Sequence, residues 1–140
     1  MAGHLFVDTT FLVARFNRRD RNHRAANAFL ESLEEPGAPT YRLVTSDFIF
    51  DETVTTLLFR SGRHDVAAAA GNAIRSSKAL RTLPVERSIV DEAWTLFLDR
   101  PDKMWSFTDC VSFVQMEKLA IRGALTFDRN FREAGFAMLP

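Results

Sequence analysis

Two aspartates follow short apolar runs near opposite ends of the chain. Asp8 comes directly after residues 5–7 in "HLFVDTT", and Asp128 closes the run "GALTFD". Short apolar runs bounded by polar residues are typical of buried strands. Parallel strands end at one shared edge of their sheet, where α/β proteins place their sites. Both carboxylates are therefore expected at the same edge.

Two further acids fall in helical segments. Asp109 begins the apolar helix in "WSFTDCVSFVQM" and shares a helical face with Phe113 and Met116, whereas a solvated acid would lie on the other face. In "DFIFDETVTTLL", helical periodicity does not decide between Asp51 and Glu52. Either of these two can therefore be the fourth functional acid, and either can be surface decoration.

Each acid has an ordinary structural explanation when it is taken alone. Asp8 can cap the first helix, Asp109 can interact with the free N–H groups of its helix, and Asp128 can hold a turn. Several carboxylates at one edge would repel one another, however, and a divalent cation removes that cost. Oxygen ligands without His or Cys at zinc spacing favour Mg²⁺ or Mn²⁺. Such a site neutralises a phosphate and activates a water for its hydrolysis.

The composition excludes several other classes of protein. The 140 residues carry 18 basic and 18 acidic side chains, so no global positive field marks a general nucleic-acid binder. A single cysteine, Cys110, excludes an intramolecular disulfide and a cysteine-based zinc site. No apolar run reaches the roughly 20 residues that cross a bilayer, and no secretory signal is recognised. We therefore expect a cytoplasmic protein without membrane contact.

Short apolar runs alternate with longer helical segments along the chain, which predicts an α/β fold with a mostly parallel sheet. The length fits one domain over residues 1–140. The predicted strands are residues 4–7, 41–46, 80–84, 123–128 and 134–139. The helices expected to position the candidate acids are residues 9–16, about 47–60 and about 107–121.

Four sequence motifs resemble those of PIN domains and, more narrowly, those of the VapC-type ribonuclease toxins of bacterial toxin–antitoxin pairs. They are "VDTTFL", "DETVTTLL", "FTDCVSF" and "LTFDRNF", in this order along nearly the whole chain. The second motif of the family is a Glu a few residues before a Leu pair, which favours Glu52 over Asp51. By this resemblance the acidic residues of the site are Asp8, Glu52, Asp109 and Asp128.

The resemblance implies a three-layer α/β/α sandwich and a Mg²⁺- or Mn²⁺-dependent endoribonuclease. It also implies a homodimer and a cognate antitoxin that occupies the active-site groove with its C-terminal tail, in some cases within a larger complex. Under this hypothesis Asp8 and Asp109 bind the metal directly, while Glu52 and Asp128 bind through water or position the nucleophile. Thr10 and Thr126 orient these acids or a water. The candidate RNA-binding residues are Arg15, Arg18 and Arg129.

Other functions remain alternatives at this point. The arginine-rich segment 15–24 can be a solvated connection, and Arg129 can merely pair with an acid. A haloacid-dehalogenase-like phosphatase requires a second Asp where Thr10 stands, and a receiver domain requires a Lys where the late strand ends in Asp128. A PIN-like RNA-processing nuclease outside a toxin–antitoxin pair and a non-catalytic, partner-binding scaffold also fit, although a degenerate scaffold would be expected to lack an acid.

Overall fold

The computed structural model describes residues 3–140, in which strands and helices alternate. The strands are β1 (Gly3–Val7), β2 (Tyr41–Ser46), β3 (Leu80–Leu83), β4 (Gly123–Leu125) and β5 (Ala137–Leu139). The helices are α1 (Thr9–Phe16), α2 (His23–Ser32), α3 (Asp47–Ser61), α4 (His64–Ser76), α5 (Arg87–Asp99), α6 (Phe107–Lys118) and α7 (Asn130–Glu133). Over the described residues, no helix is long and apolar enough to span a membrane.

The five strands form one sheet in the order β3-β2-β1-β4-β5, and every neighbouring pair is parallel. The chain builds outward from β1 to β3, then returns to the other side of β1 to add β4 and β5. The direction of strand order therefore reverses between β1 and β4. In open α/β sheets, ligands bind outside the carboxyl ends of the strands at such a reversal.

Helices cover both faces of the sheet, which confirms the predicted three layers. Leu5, Phe6 and Val7 of β1 and all of β4 are buried, as expected for a parallel sheet covered on both sides. Right-handed crossovers place α1–α4 on one face and α5–α7 on the other. Contacts between the helices agree, because α1 packs on α2 and α3, α3 packs on α4, and α6 packs on α5 and α7.

The helices that carry the candidate acids begin at well-defined caps. Asp8 caps α1 by accepting a hydrogen bond from the Thr10 amide, and Ser46 caps α3 through the Ile49 amide. Ser106 and Asp109 form a reciprocal capping box at the start of α6. Asp8 is therefore also a helix cap, and Asp109 takes part in the capping of α6, in agreement with their ordinary structural explanations.

The predicted strands at the C-terminal end of the chain were too long. β4 ends at Leu125 rather than at residue 128, and β5 begins at Ala137 rather than at residue 134. Side chains after β4 bind the local backbone instead of extending the ladder, since the Thr126 hydroxyl accepts from the Asp128 amide and the Asp128 carboxylate accepts from the Asn130 amide. The turn leads into α7, which the periodicity did not predict.

A buried hydroxyl supports the carboxyl end of β1. Thr45 on β2 donates a 2.8 Å hydrogen bond to the carbonyl oxygen of Val7, and both residues are buried.

We expect Thr45→Val to lower the free energy of unfolding by about 1–3 kcal/mol, because the Val7 carbonyl would remain buried without its donor. Urea denaturation measures the effect. Thr82 is the matched control, since it is the β3 register partner of Thr45 and its buried hydroxyl has no partner among the described residues. If Thr82→Val is as destabilising as Thr45→Val, the hydrogen bond is not the cause.

Candidate active site

One open cleft of about 740 Å³ lies at the carboxyl end of the sheet, beside the reversal between β1 and β4. All four motif acids contribute to its wall, and so do Met104 and Ser106 of the loop that precedes α6. Its polar lining residues are Asp8, Thr9, Thr10, Asp20, Arg21, Asn22, Glu52, Thr56, Arg60, Ser106, Asp109, Asp128 and Asn130.

Asp8 is the most deeply buried acid of the cleft, with 3% of its surface exposed. Its Oδ2 accepts hydrogen bonds from the hydroxyls of Thr10 and Thr126, both at 2.8 Å, and from the Thr10 amide at 3.3 Å. Thr10 in turn accepts from the Phe127 amide at 2.9 Å. The two threonines therefore hold Asp8 from both sides of the β1–β4 junction, as expected for residues that orient an acid.

Burial raises the pKa of Asp8 to about 7. The hydrogen bonds from Thr10 and Thr126 oppose this rise in pKa, and the nearby negative charge of Asp109 adds to it. The carboxylate is thus only partly ionised near neutral pH when no cation is bound. A cation bound nearby would favour the ionised form and would remove this penalty.

Asp109 is held by the residue before α6 and by the first residue of α7. Its Oδ2 accepts hydrogen bonds from the Ser106 amide at 3.0 Å and from the Asn130 side-chain amide at 3.1 Å. Burial raises the pKa of Asp109 to about 6, and the negative charges of Asp128 and Glu52 contribute to the rise. The four acids therefore interact electrostatically, although they come from four separate parts of the chain.

Asn130 connects two of the acids, and the sequence reasoning missed it. Its backbone amide donates to Asp128 Oδ1 at 2.9 Å, while its side chain donates to Asp109 Oδ2 and, at 3.4 Å, to the carbonyl of Met104. The turn itself had a signal in the sequence, because an Asp side chain often accepts from the backbone N–H two residues later. Only the folded chain shows that the same side chain reaches Asp109.

The structure distinguishes the two neighbouring acids on α3. Glu52 is half-buried and lines the cleft, whereas Asp51 is exposed and is not among the lining residues. The geometry therefore agrees with the register that the family motif favoured. Periodicity could not decide this, because Asp51 flanks the apolar face of α3 and Glu52 lies near Phe48 on another side, so that either could be surface decoration.

The candidate RNA-binding arginines are spread over the surface. Arg15 and Arg18 line other cavities, and Arg129 is exposed directly beside Asp128. Arg21 and Arg60 line the cleft itself. Arg60, which lies in the last turn of α3, was not among the RNA-binding residues predicted from the sequence.

The chemistry of the donor atoms suits a hard divalent cation. The four motif acids offer only oxygen ligands, and the repulsion between Asp8 and Asp109 is the kind that a cation relieves. Among residues 3–140, no three His, Cys, Asp or Glu side chains converge into a complete binding group. Because Mg²⁺ keeps several of its waters, a site here needs only one or two direct carboxylate ligands.

Comparison with known proteins identifies the family. The sequence pattern of the PIN domain matches residues 5–137. The chain belongs to the PIN domain family. The resemblance inferred from the four motifs is therefore confirmed, and the cleft lies at the end of the PIN sheet where those motifs meet.

Individual PIN domain proteins resemble the chain over nearly its full length. The 23S rRNA-specific endonuclease VapC20 of Mycobacterium tuberculosis is 35% identical over 132 residues, which cover 94% of this chain and 95% of the relative. The crystal structure of M. tuberculosis VapC20, described as a Sarcin-Ricin loop cleaving toxin, matches with a TM-score of 0.84 and 34% identity, over 95% of this chain and 96% of that one. VapBC2 from Rickettsia felis, at 11% identity and a TM-score of 0.70 over 97% of both chains, shares the fold.

Because Asp8 is buried, we expect the substitution Asp8→Asn to stabilise the protein at high pH. An unfolded Asp with a pKa near 3.8 is ionised above that pH, whereas folded Asp8 keeps its proton up to about pH 7. In EDTA the contribution of Asp8 to stability therefore falls as the pH rises from about 4 to about 7, and it stays low above that range. Asp8→Asn removes this loss, so the variant should be more stable than the wild type at pH 8 by up to several kcal/mol, since each pKa unit corresponds to about 1.4 kcal/mol.

Thermal and urea unfolding between pH 4 and pH 8 measure this difference. The difference in stability between Asp8→Asn and the wild type should narrow as the pH approaches 4. At pH 8, Mg²⁺ or Mn²⁺ should stabilise the wild type more than the variant. Asp51→Asn is the control, because Asp51 is exposed outside the cleft. An Asp8→Asn protein that is less stable than the wild type at pH 8 in EDTA would contradict the argument.

Proposed function

We propose that this PIN domain chain is a metal-dependent endoribonuclease that hydrolyses RNA phosphodiester bonds as the toxin of a VapBC-type toxin–antitoxin pair. The observation that carries the proposal is the meeting of Asp8, Glu52, Asp109 and Asp128 in one cleft at the reversal of the sheet. The 35% identity to an endonuclease of this type supports it. We also propose that residues 1–140 form a single PIN domain, of which the first two residues lie outside the described part.

The side chains of the cleft have distinct proposed roles. Bound Mg²⁺ or Mn²⁺ would neutralise the phosphate and lower the pKa of a water. Asp8 and Asp109 are the proposed direct ligands, because each is oriented by at least two donors before any ligand arrives. Glu52 and Asp128 are proposed to bind the metal through water or to position the nucleophile. Thr10 and Thr126 fix the direction of Asp8.

The proposed substrate class is RNA, and 23S ribosomal RNA is the first candidate. The relative that shares 35% identity is named a 23S rRNA-specific endonuclease, and its solved structure is described as that of a Sarcin-Ricin loop cleaving toxin. Purified ribosomes and total RNA, followed by sequencing of the new 5′ ends, would identify the cleavage site. Arg15, Arg18 and Arg129 remain proposed contacts to the RNA backbone, and Arg129 is the one beside the acids.

The proposed partners are a cognate antitoxin and a second copy of the chain. Solved structures with the same fold include the toxin–antitoxin complex VapBC2 of R. felis. Trp94, Phe97 and Leu98 of α5 are exposed by 52%, 40% and 58%, and the rings of Trp94 and Phe97 stack at 5.5 Å. An exposed aromatic face of this kind supports a protein–protein contact.

Removal of either buried acid should abolish cleavage. We expect Asp8→Asn and Asp109→Asn to lower the rate of RNA cleavage in Mn²⁺ by at least about 100-fold, because each variant loses a proposed carboxylate ligand of the cation that neutralises the scissile phosphate. EDTA should stop the wild-type reaction, and circular dichroism should show an intact fold. Asp51→Asn is the control, because it removes a carboxylate next to Glu52 that is exposed outside the cleft, and this variant should cleave RNA at the wild-type rate. Cleavage by both buried-site variants at the wild-type rate would disprove the proposed nuclease site.

Asn130 is expected to matter as a positioning residue. Asn130→Ala removes the donor to Asp109 but retains the backbone donor to Asp128. We expect kcat to fall about 10- to 100-fold and the affinity for Mn²⁺ to weaken, as for other residues that orient metal ligands, with little change in thermal stability. Single-turnover kinetics across a Mn²⁺ titration measure both quantities. If kcat and Mn²⁺ affinity are unchanged, Asn130 does not position Asp109.

A further inference from the structure

One side of α3 runs along the cleft from its acidic end to a basic end. Glu52, Thr56 and Arg60 all line the cleft, and their spacing of four residues places them on one face of the helix. At a rise of 1.5 Å per residue, the Cα atom of Arg60 lies about 12 Å along the axis from that of Glu52. The cleft therefore extends well beyond the space that a single phosphate at the acids would occupy.

The far end of the cleft carries more positive than negative charge. Arg21 and Arg60 line it together with Asp20. Arg60 Nη1 lies 3.9 Å from Asp20 Oδ2, at the outer limit of an ion pair, and the Arg60 side chain is 62% exposed. Asp20 also has a local partner, since its Oδ1 accepts a 2.8 Å hydrogen bond from the Asn22 amide. Among residues 3–140, no ion pair involves Arg21.

An RNA strand in this cleft faces an electrostatic problem that these arginines solve. A cation can neutralise the scissile phosphate, but the flanking phosphates still lie near four carboxylates. A guanidinium matches a phosphate with two parallel hydrogen bonds and always carries its charge. A distance of about 12 Å along the helix exceeds the repeat of one nucleotide, so Arg60 would meet a phosphate that is not the scissile one.

We propose that Arg60, assisted by Arg21, forms a phosphate subsite at the far end of the cleft, where it binds a backbone phosphate at least one nucleotide away from the scissile bond. The inference rests on the proposed nuclease function and extends it, because it sets a minimum length of RNA on one side of the cut. The weak contact with Asp20 keeps the guanidinium near its position and is exchanged for the phosphate.

The competing explanation is structural. Arg60 can serve only to fix the loop before α2 to α3 through Asp20. This explanation makes the opposite prediction for Asp20→Asn, which would then resemble Arg60→Ala. If Arg60 binds phosphate, Asp20→Asn removes a competing carboxylate and leaves RNA binding equal or tighter.

The test uses single-stranded oligoribonucleotides centred on the cleavage site mapped by end sequencing and shortened one nucleotide at a time from either end. On the longest substrate, Arg60→Ala should raise KM about tenfold with little change in kcat, as expected for one charged hydrogen-bonded contact. Trimming one end should remove this difference at a defined length, whereas trimming the other should not. Arg75→Ala is the matched control, because Arg75 is exposed on α4 outside the cleft.

RNA affinity measured by fluorescence anisotropy in the Asp109→Asn background separates the two levels of the proposal. There, Arg60→Ala should lower affinity about tenfold and flatten the salt dependence by about 0.7 in slope. If the wild-type chain does not cut RNA but Arg60→Ala still lowers RNA affinity, the nuclease is contradicted and the subsite is supported. If the wild-type chain cuts RNA, three results would overturn the subsite and leave the nuclease intact. Arg60→Ala would have no effect, its effect would not depend on substrate length, or Asp20→Asn would have the same effect.

Discussion

The site depends on one buried carboxylate and the two hydroxyls that hold it. Asp8 follows β1 and Thr126 follows β4, so the hydrogen bond between them joins the two strands at the point where the strand order reverses. Thr10 completes the arrangement by bonding both to Asp8 and to the backbone after β4. Any movement of β1 relative to β4 would therefore change the direction of the acid on which the proposed chemistry depends.

This arrangement places function and stability in opposition. Burial makes ionisation of Asp8 unfavourable, and the charge of Asp109 makes it more so. A neutral side chain would fit the same space with less penalty. A chain selected for stability alone would not keep a carboxylate there. The burial of Asp8 is therefore a physical argument for a charged ligand, and the apolar sequence around Asp8 does not by itself provide that argument.

The sequence predicted most of the framework because the framework is encoded locally. The apolar runs before Asp8 and around residue 124 gave the two central strands, and the first helix was predicted with its observed bounds. Side chains that act across the fold were not predictable in this way. Asn130 reaches Asp109, and Arg60 faces the cleft, only because α3, α6 and the loop after β4 come together. Glu52 was distinguished from Asp51 by a family motif and not by its periodicity.

Because of the capping box at the start of α6, Asp8 and Asp109 differ in how well their presence indicates nuclease activity in a related chain. Asp109 closes its helix by bonding the Ser106 backbone, so a descendant that had lost catalysis would still gain stability by retaining it. Asp8 also caps its helix, but an Asn would keep that cap and would avoid the larger ionisation penalty, since burial raises the pKa of Asp8 to about 7 and that of Asp109 to about 6. When related chains decay into inactive binding proteins, Asp8 should therefore be replaced early and Asp109 late. Of the two residues, Asp8 is the better indicator that a relative still cuts.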